Sequence, residues 1–461
     1  LKMFLNNSLV SLTDQDTLKT TITASGNGKQ WIKFTAIGEN KTFSDSSYFY
    51  TRENLTVEEL PAGTRPGINI NQDGTVTLAL YAPSKEFVYL IGDFNNWEFD
   101  PEESENWEFD QSYYLKISPD STTYWTTLTE LVQNQEYAFQ YLVDGDLRIA
   151  DPYSEKILDP WNDKWIPNNI YPNLKEYPTE KTSEIASVFE LGKNEYNWQV
   201  ENFQKPAKEK LIIYEMWLRN FLEEHTYSTL IDTLSYLENL GINAIELMPN
   251  YEFEGNESWG YNPSFYFAVD KFYGTAEDFK RFVDECHKRG IAVIMDMVLN
   301  HSYGQSPLVR LYSKNGTITP ENPWYNITAP HTDFSWGYDF NHQSLQTQNF
   351  VDRISEYWIN EFKVDGFRYD FTGGFTNGTS SGGFDQQRIS VLQRMADKIW
   401  EIDSSFYVIL EHWTSDSEKK ILSEYGMMVW ENATHSINEA TMGWNENNKS
   451  NFSSISYTAK G

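Results

Sequence analysis

The chain has 461 residues, 39% of them hydrophobic, and a formal charge of −31; that length exceeds one ordinary core and points to about three domains. The acidity repels phosphate backbones and no basic stripe relieves it, so a nucleic-acid partner is excluded, and no apolar run of eighteen or more residues offers a membrane span. A single cysteine, Cys286, rules out an internal disulfide and a cysteine-based metal cluster and is expected to pack as a small apolar residue, while 16 Trp, 29 Tyr and 28 Phe supply faces that suit sugar rings as well as cores.

The chain opens Leu-Lys-Met, without a charged-then-apolar leader; a signal peptide was removed or never included, and the expected location is secreted, periplasmic or cell-envelope. Residues 1–68 alternate short β-type runs, such as Trp31 to Thr35 and Ser47 to Thr51, with Gly, Asn and Asp turns, and read as a small β-sandwich short of its first strand. Pro61, Gly63, Pro66 and Gly67 mark a linker.

Residues 69–170 form a second β-rich unit with strands expected over Thr75 to Tyr81, Phe87 to Gly92 and Tyr137 to Val143. Gly92-Asp93-Phe94-Asn95-Asn96-Trp97, Phe139-Gln140-Tyr141 and Asp151-Pro152-Tyr153 resemble the early-set domain called carbohydrate-binding module family 48, which precedes the barrel in many starch- and glycogen-active enzymes. Trp97 either stacks on a sugar or packs between sheet and loop. Residues 171–208 carry Pro, Asn and Lys with little periodicity and read as a connector.

From 209 to 461 the texture changes to strands alternating with helices. Strands are expected over Leu211 to Met216, Asn243 to Met248, Ile291 to Asp296, Val364 to Phe371, Phe406 to Glu411 and Gly426 to Trp430. Helices are expected over Thr229 to Leu240, ending at Gly241, over Ala276 to Arg289, stopped by Gly290, and from about Asn349 to Phe362. Apolar strands without alternation, separated by helices, argue for a parallel sheet covered on both faces. Repeated this often, the pattern predicts a (β/α)₈ TIM barrel, with chemistry at the C-terminal strand ends. Six strands leave a barrel open, so the expectation is a truncated one, a piece of a longer protein.

Three successive strands end in polar residues: Asp296, then Asn300 and His301; Arg368 and Asp370; and Glu411. On its own, Arg368 beside Asp370 reads either as a strand-end ion pair or as a carboxylate nucleophile held ionised by a guanidinium. Adjacent barrel strands lie about 4.8 Å apart, so Asp370 and Glu411 should face each other, near the roughly 5 to 5.5 Å separation of a retaining glycosidase pair. Arg368 would keep Asp370 ionised, and Glu411, beside Trp413 and close to an anion, would hold its proton near neutral pH.

These segments resemble the α-amylase family, glycoside hydrolase family 13. The segment Asp296 to His301 matches its first signature, Gly366 to Asp370 its second, Leu410 to Trp413 its third, and Trp259-Gly260-Tyr261-Asn262-Pro263 its Gly-Tyr segment lining the sugar site. The resemblance implies Asp370 as nucleophile, Glu411 as general acid and base, and Arg368 orienting Asp370. Tyr261 would stack on the sugar and His301 would bond its hydroxymethyl oxygen. Trp259, His412 and Asp296 join them as substrate-side residues, with Asp296 open to a supporting structural role. Family calcium sites would draw on Asn300 and Asp339, yet Gly374 stands where a ligating His is expected; Ca²⁺ takes about six to eight oxygens, and two candidates do not make a site. No other cofactor is implied.

The implied function is a retaining hydrolase of α-1,4-glucans such as starch and maltodextrin, its partner an α-glucan. A debranching, pullulanase-like α-1,6-glucosidase or a glucan-branching enzyme shares the Trp-Gly-Tyr-Asn-Pro segment, although Leu-Glu-His-Trp departs from the Gly-Glu-Gly-Trp form of pullulanases. A non-catalytic glucan-binding protein would not need Arg368, Asp370 and Glu411 together. The family's fourth signature, a His-Asp pair after strand seven, would fall beyond Gly461. The chain as written is therefore expected to be inactive or nearly so, and starch hydrolysis measured against a full-length protein checks this; equal activity of the two would overturn it.

Overall fold

The computed structural model describes residues 1–23, 28–51, 54–97, 111–333, 335–430 and 434–443. The chain divides into two compact units, one of Leu1–Ile149 with Pro178–Ser183, the other of Ala150–Tyr177 with Glu184–Gly461. Residues 150–177 thus belong with the second unit. The sequence reading had split them between the second β unit and the connector, because Pro- and Asn-rich chain without periodicity gives no sign of what it packs against.

In the first unit, strands Lys2–Leu5, Ser8–Leu12, Gly28–Ile37 and Thr42–Thr51 make one antiparallel sheet, Lys2–Leu5 lying between Ser8–Leu12 and Gly28–Ile37. This corrects the expected sandwich: among the described residues up to 51 there is a single sheet, and Leu12, Phe34 and Phe43 remain exposed on it. Alternation reveals a two-faced strand but not whether a second sheet covers it. The following region supplies two antiparallel sheets. One runs through Gly67–Ile70, Val76–Tyr81, Thr123–Leu128 and Lys116–Ile117 in that order, and in the other Gln135–Val143 pairs with Val88–Gly92 and Leu147–Ile149. Trp97 is buried there, its indole donating to Asp93 Oδ1 at 2.9 Å, so packing decides its two readings.

The second unit is built on a curled parallel sheet of six strands, β1 (Ile213–Met216), β2 (Ala244–Leu247), β3 (Ala292–Met297), β4 (Gly366–Tyr369), β5 (Tyr407–Glu411) and β6 (Met428–Trp430). They lie side by side in sequence order, every neighbouring pair parallel. An unreversed order is that of a barrel wall; a doubly wound sheet would reverse at a switch point. All six expected strands are present. The crossovers run through α1 (Tyr227–Leu240), α2 (Ala276–Lys288), α3 (Leu345–Phe362), α4 (Gln386–Ile402) and α5 (Asp416–Tyr425).

Helix ends follow from local chemistry. Thr226 Oγ1 accepts from Thr229 N at 3.1 Å to start α1, and Gly241, at φ 85°, stops it in the left-handed region. In α2, Thr275 and Asp278 cap each other reciprocally, and Phe279, Phe282, Val283 and Cys286 form the buried face, where the cysteine packs as a small apolar residue. No helix among the described residues is long and apolar enough to cross a membrane.

The sheet interior sets a tight limit at Gly366. A Cβ there would meet Tyr407 Cβ at 2.7 Å, the Tyr407 carbonyl at 3.1 Å and Ile294 Cγ1 at 3.2 Å, wedging β4 between β3 and β5. Gly366→Ala is expected to lower stability by about 2 kcal/mol through overpacking, read as an earlier urea midpoint.

Candidate active site

The polar residues expected at the strand ends converge on one guanidinium. In register, Asp296 of β3 sits opposite Arg368 of β4, and Arg368 sits opposite Ile409 of β5, which places Glu411 two residues further along its strand. Arg368 Nη1 lies 2.9 and 3.0 Å from the two Asp296 oxygens and 3.2 Å from Asp370 Oδ1, while Nη2 lies 2.8 Å from Glu411 Oε2. The guanidinium carbon stands 5.2 Å from the centre of the Trp430 ring of β6. Asp370 and Glu411 thus meet on one guanidinium.

The chain turns sharply after Asp370. Phe371 takes a left-handed φ of 41°, a strained conformation for an aromatic residue, and its N–H donates to Glu411 Oε2 at 3.2 Å. That bond ties the end of β4 to the carboxylate of β5.

Tyr261 and Trp259 lie at the tip of an antiparallel hairpin, Tyr251–Phe253 with Pro263–Val269, between β2 and α2. Gly260 is needed there: its φ is 93°, and a Cβ would meet Pro249 Cβ and O at 2.6 Å. The Tyr261 hydroxyl donates to Asp296 Oδ2 at 2.6 Å, and His301 Nε2 donates to the Tyr261 carbonyl at 2.9 Å. Trp259 is 60% exposed, edge-on to Trp217 at 5.8 Å. Half-exposed Trp336 packs edge-on against Phe371 at 5.2 Å.

Two residues expected on the substrate side are enclosed instead. Asp296 is fully buried, its oxygens taken by Tyr261 and Arg368, which fits the supporting role left open for it. His412 is also fully buried. Its Nδ1 lies 2.8 Å from Thr372 Oγ1 and its Nε2 3.0 Å from Glu418 Oε1. Its position beside Glu411 in the chain suggested a role in the site, but alternation along the strand turns it to the opposite face.

That opposite face holds residues the sequence reading missed. Arg388 of α4, fully buried, grips Glu418 of α5 through Nε at 2.7 Å and Nη2 at 2.8 Å and donates to the Gly373 carbonyl at 2.8 Å. Thr372 donates to the Glu411 carbonyl at 2.8 Å. The loops carrying Asp370 and Glu411 are thereby pinned to the starts of two helices. A second missed group is Glu246 of β2, fully buried with neither carboxyl oxygen hydrogen-bonded among the described residues. A Glu inside an otherwise apolar strand was the signal that could have found it.

Electrostatics correct the expected division of charge. Burial, then the Asp296 charge, pushes the Asp370 carboxyl well above the usual range in spite of Arg368. The guanidinium is divided among three carboxyls, so Asp370 receives only part of it. Burial raises Asp296 to about 6, with Arg368 and Tyr261 working against the rise, and burial followed by Asp296 raises Glu246 well above its usual value. Burial and then the Asp296 anion keep the Tyr261 phenol protonated.

Asn300 and Asp339 reach neighbouring positions, since the Asn300 carbonyl accepts from Phe340 N at 3.0 Å and His301 pairs with Asp339. Asn300 Oδ1 is buried without a hydrogen-bond partner, as a cation ligand would be. The Asp339 carboxylate, however, is filled by Asn326 Nδ2 at 2.7 Å and His331 Nε2 at 3.2 Å. Among the described residues no group of three or more His, Cys, Asp or Glu is arranged to hold a metal. These residues as placed do not fit calcium.

The profile of the alpha-amylase catalytic domain matches residues 226–337. Malto-oligosyltrehalose trehalohydrolase of Saccharolobus solfataricus is 32% identical over 239 residues, 50% of this chain and 36% of that protein. The 1,4-alpha-glucan branching enzyme GlgB of Bacillus cereus is 25% identical, covering 74% of this chain and 49% of its own length. Isoamylase SU1 of Zea mays is 32% identical over 43% of this chain and 28% of its own. Among solved structures, a putative alpha amylase from Salmonella typhimurium has a TM-score of 0.57 at 20% identity, covering 84% of this chain and 57% of that one. The GBS pullulanase SAP in complex with maltotetraose has a TM-score of 0.55 at 21% identity, covering 81% and 49%. The fold is of the α-amylase type. Residues 226–337 thus match the alpha-amylase catalytic domain, and the chain spans about half the length, or less, of the curated relatives it matches.

One neighbour of the site titrates in an accessible window. His342 is buried, its Nε2 donating to the Leu299 carbonyl at 2.7 Å and its ring stacked on Phe375, and burial lowers its pKa to about 4. The unfolded chain then binds the extra proton, so stability is fully present above pH of about 6.5 and falls as the pH drops towards 4, by about 3 kcal/mol from this group. His342→Gln, which keeps a donor for Leu299, is expected to flatten the fall in urea midpoint between pH 7 and 5.

Proposed function

We propose that the site performs a retaining double displacement on α-glucans. The observation that carries this reading is the single guanidinium of Arg368 holding Asp370 and Glu411 face to face. Asp370, as the carboxylate, attacks the anomeric carbon while Glu411, as the acid, passes a proton to the departing glycosidic oxygen. Water then attacks the glycosyl ester, and Glu411 takes the proton back. Arg368 orients Asp370, Asp296 anchors Arg368 from beneath, and Tyr261 with Trp259 offers aromatic faces to the sugar. No cofactor enters these steps. On this reading the six-stranded wall is part of a (β/α)₈ barrel in the whole protein, and residues 69–170 are a family 48 module.

The linkage has two candidates. Hydrolysis of α-1,4 bonds follows from the motif reading. Action at α-1,6 bonds, as a debranching or branching enzyme, is supported by relatives that are named as isoamylase and branching enzyme and by structural neighbours named as pullulanases. Release of maltotriose alone from pullulan would select debranching, shortening of amylose would select α-1,4 hydrolysis, and new branches in amylose would select transfer.

In the whole protein Glu411→Gln is expected to lower kcat by roughly 10²- to 10⁴-fold, with the first product released as the α-anomer when followed by proton NMR. Unchanged turnover in the variant, or initial release of the β-anomer, would overturn the mechanism.

A further inference from the structure

A short turn away from the carboxyl pair, Asp159 to Trp165, presents two indoles to solvent. Trp161 is 45% exposed and Trp165 68%. The backbone beneath them is held with unusual care. Asp159 Oδ1 accepts from the N–H groups of Trp161 at 2.7 Å and Asn162 at 3.1 Å, its Oδ2 accepts from Asn162 Nδ2 at 2.8 Å, and Asp163 Oδ2 accepts from Asp159 N at 2.9 Å.

The turn is also fastened to the hairpin that carries Trp259 and Tyr261. Asn256 Nδ2 donates to the Asn162 carbonyl at 3.0 Å. Lys271, 3% exposed, places its ammonium 2.5 Å from Glu252 of the hairpin and 3.3 Å from Asp163 of the turn. Packing alone explains neither feature. Two indoles left in water forgo the stabilisation their burial would give, and the buried ions beneath them are costly to desolvate. Two exposed indoles on a backbone already fixed, by contrast, gain affinity because little conformational entropy remains to be lost when a ligand binds.

The ligand class follows from the same chemistry. Indole faces suit the apolar faces of sugar rings, the chain's charge of −31 disfavours anions, and the turn is fastened, through Asn256 and Lys271, to the hairpin that bears Trp259. We propose that the Trp161–Trp165 turn is a second binding site for a neutral α-glucan chain, distinct from the carboxyl pair and retaining the polymer beside it. The proposal rests on the α-glucan reading of the active site.

Affinity electrophoresis of the whole protein in gels containing glycogen separates the two claims, since retardation needs binding and not turnover. Replacing both residues, Trp161→Ala with Trp165→Ala, is expected to weaken glycogen affinity by about tenfold, whereas Trp161→Phe with Trp165→Phe, which keeps two aromatic faces, should stay near the native mobility. Retardation of the alanine variant equal to the native protein's overturns the proposal, as does a phenylalanine variant as weak as the alanine one. A native protein that cleaves maltooligosaccharides without retardation by glycogen overturns this site and leaves the active-site reading standing. Retardation that depends on the two tryptophans in a protein that cleaves no α-glucan supports this site and removes the catalytic reading.

Discussion

The structure of the site depends on one buried cation shared by three carboxyls. Arg368 can reach Asp296, Asp370 and Glu411 at once only because its guanidinium is a rigid planar fork and because β3, β4 and β5 hold one register. A slip of one residue in any of these strands would turn the polar end to the opposite face. Lysine at this position would supply charge without the fork. The guanidinium is costly to desolvate, and Asp296 beneath it, with the Trp430 face to one side, keeps it charged where water is scarce.

The remainder of the unit works to preserve that register. Gly366 lets three strands approach closely at one end, and Arg388 with Glu418 fixes the loops at the other. The hydroxyl of Thr372 and the ring of His412 carry this fixation to the Glu411 carbonyl and to the residue after it, so helix packing is transmitted to the backbone of Glu411 through four side chains. The hairpin acts from the rim, because the Tyr261 hydroxyl holds Asp296 and Asp296 holds Arg368. The strained Phe371 lies where these constraints meet, as expected where surrounding contacts over-determine the backbone.

The sequence made the parallel sheet legible because strands buried on both faces are continuously apolar, and each of Asp296, Arg368, Asp370 and Glu411 interrupts such a run near its end. The caps Gly241 and Gly290 were legible for a similar local reason. What could not be read depended on counting neighbours in space. Asp370 was expected to be held ionised, but the number of carboxyls sharing Arg368 is a property of three strands together. Arg388 and Glu418 stand thirty residues apart with no motif between them. His412 looked like a site residue until alternation and burial were combined, and the single sheet of residues 2–51 could not be told from half of a sandwich.

The surplus of carboxyls over cations has a chemical consequence. Asp296, Asp370 and Glu411 all contact Arg368, and Glu246 lies close enough for the Asp296 charge to raise its carboxyl. Four anions around one guanidinium in a water-poor setting cannot all persist, and the upward shifts of Asp296, Asp370 and Glu246 express that limit. Glu246, with no hydrogen-bond partner among the described residues, is the group with least reason to ionise. The other three are the ones that touch the guanidinium, and three carboxyls still outnumber one cation. The crowding therefore falls hardest on Asp370 and Glu246, whose carboxyls burial and the Asp296 charge lift well above their usual range.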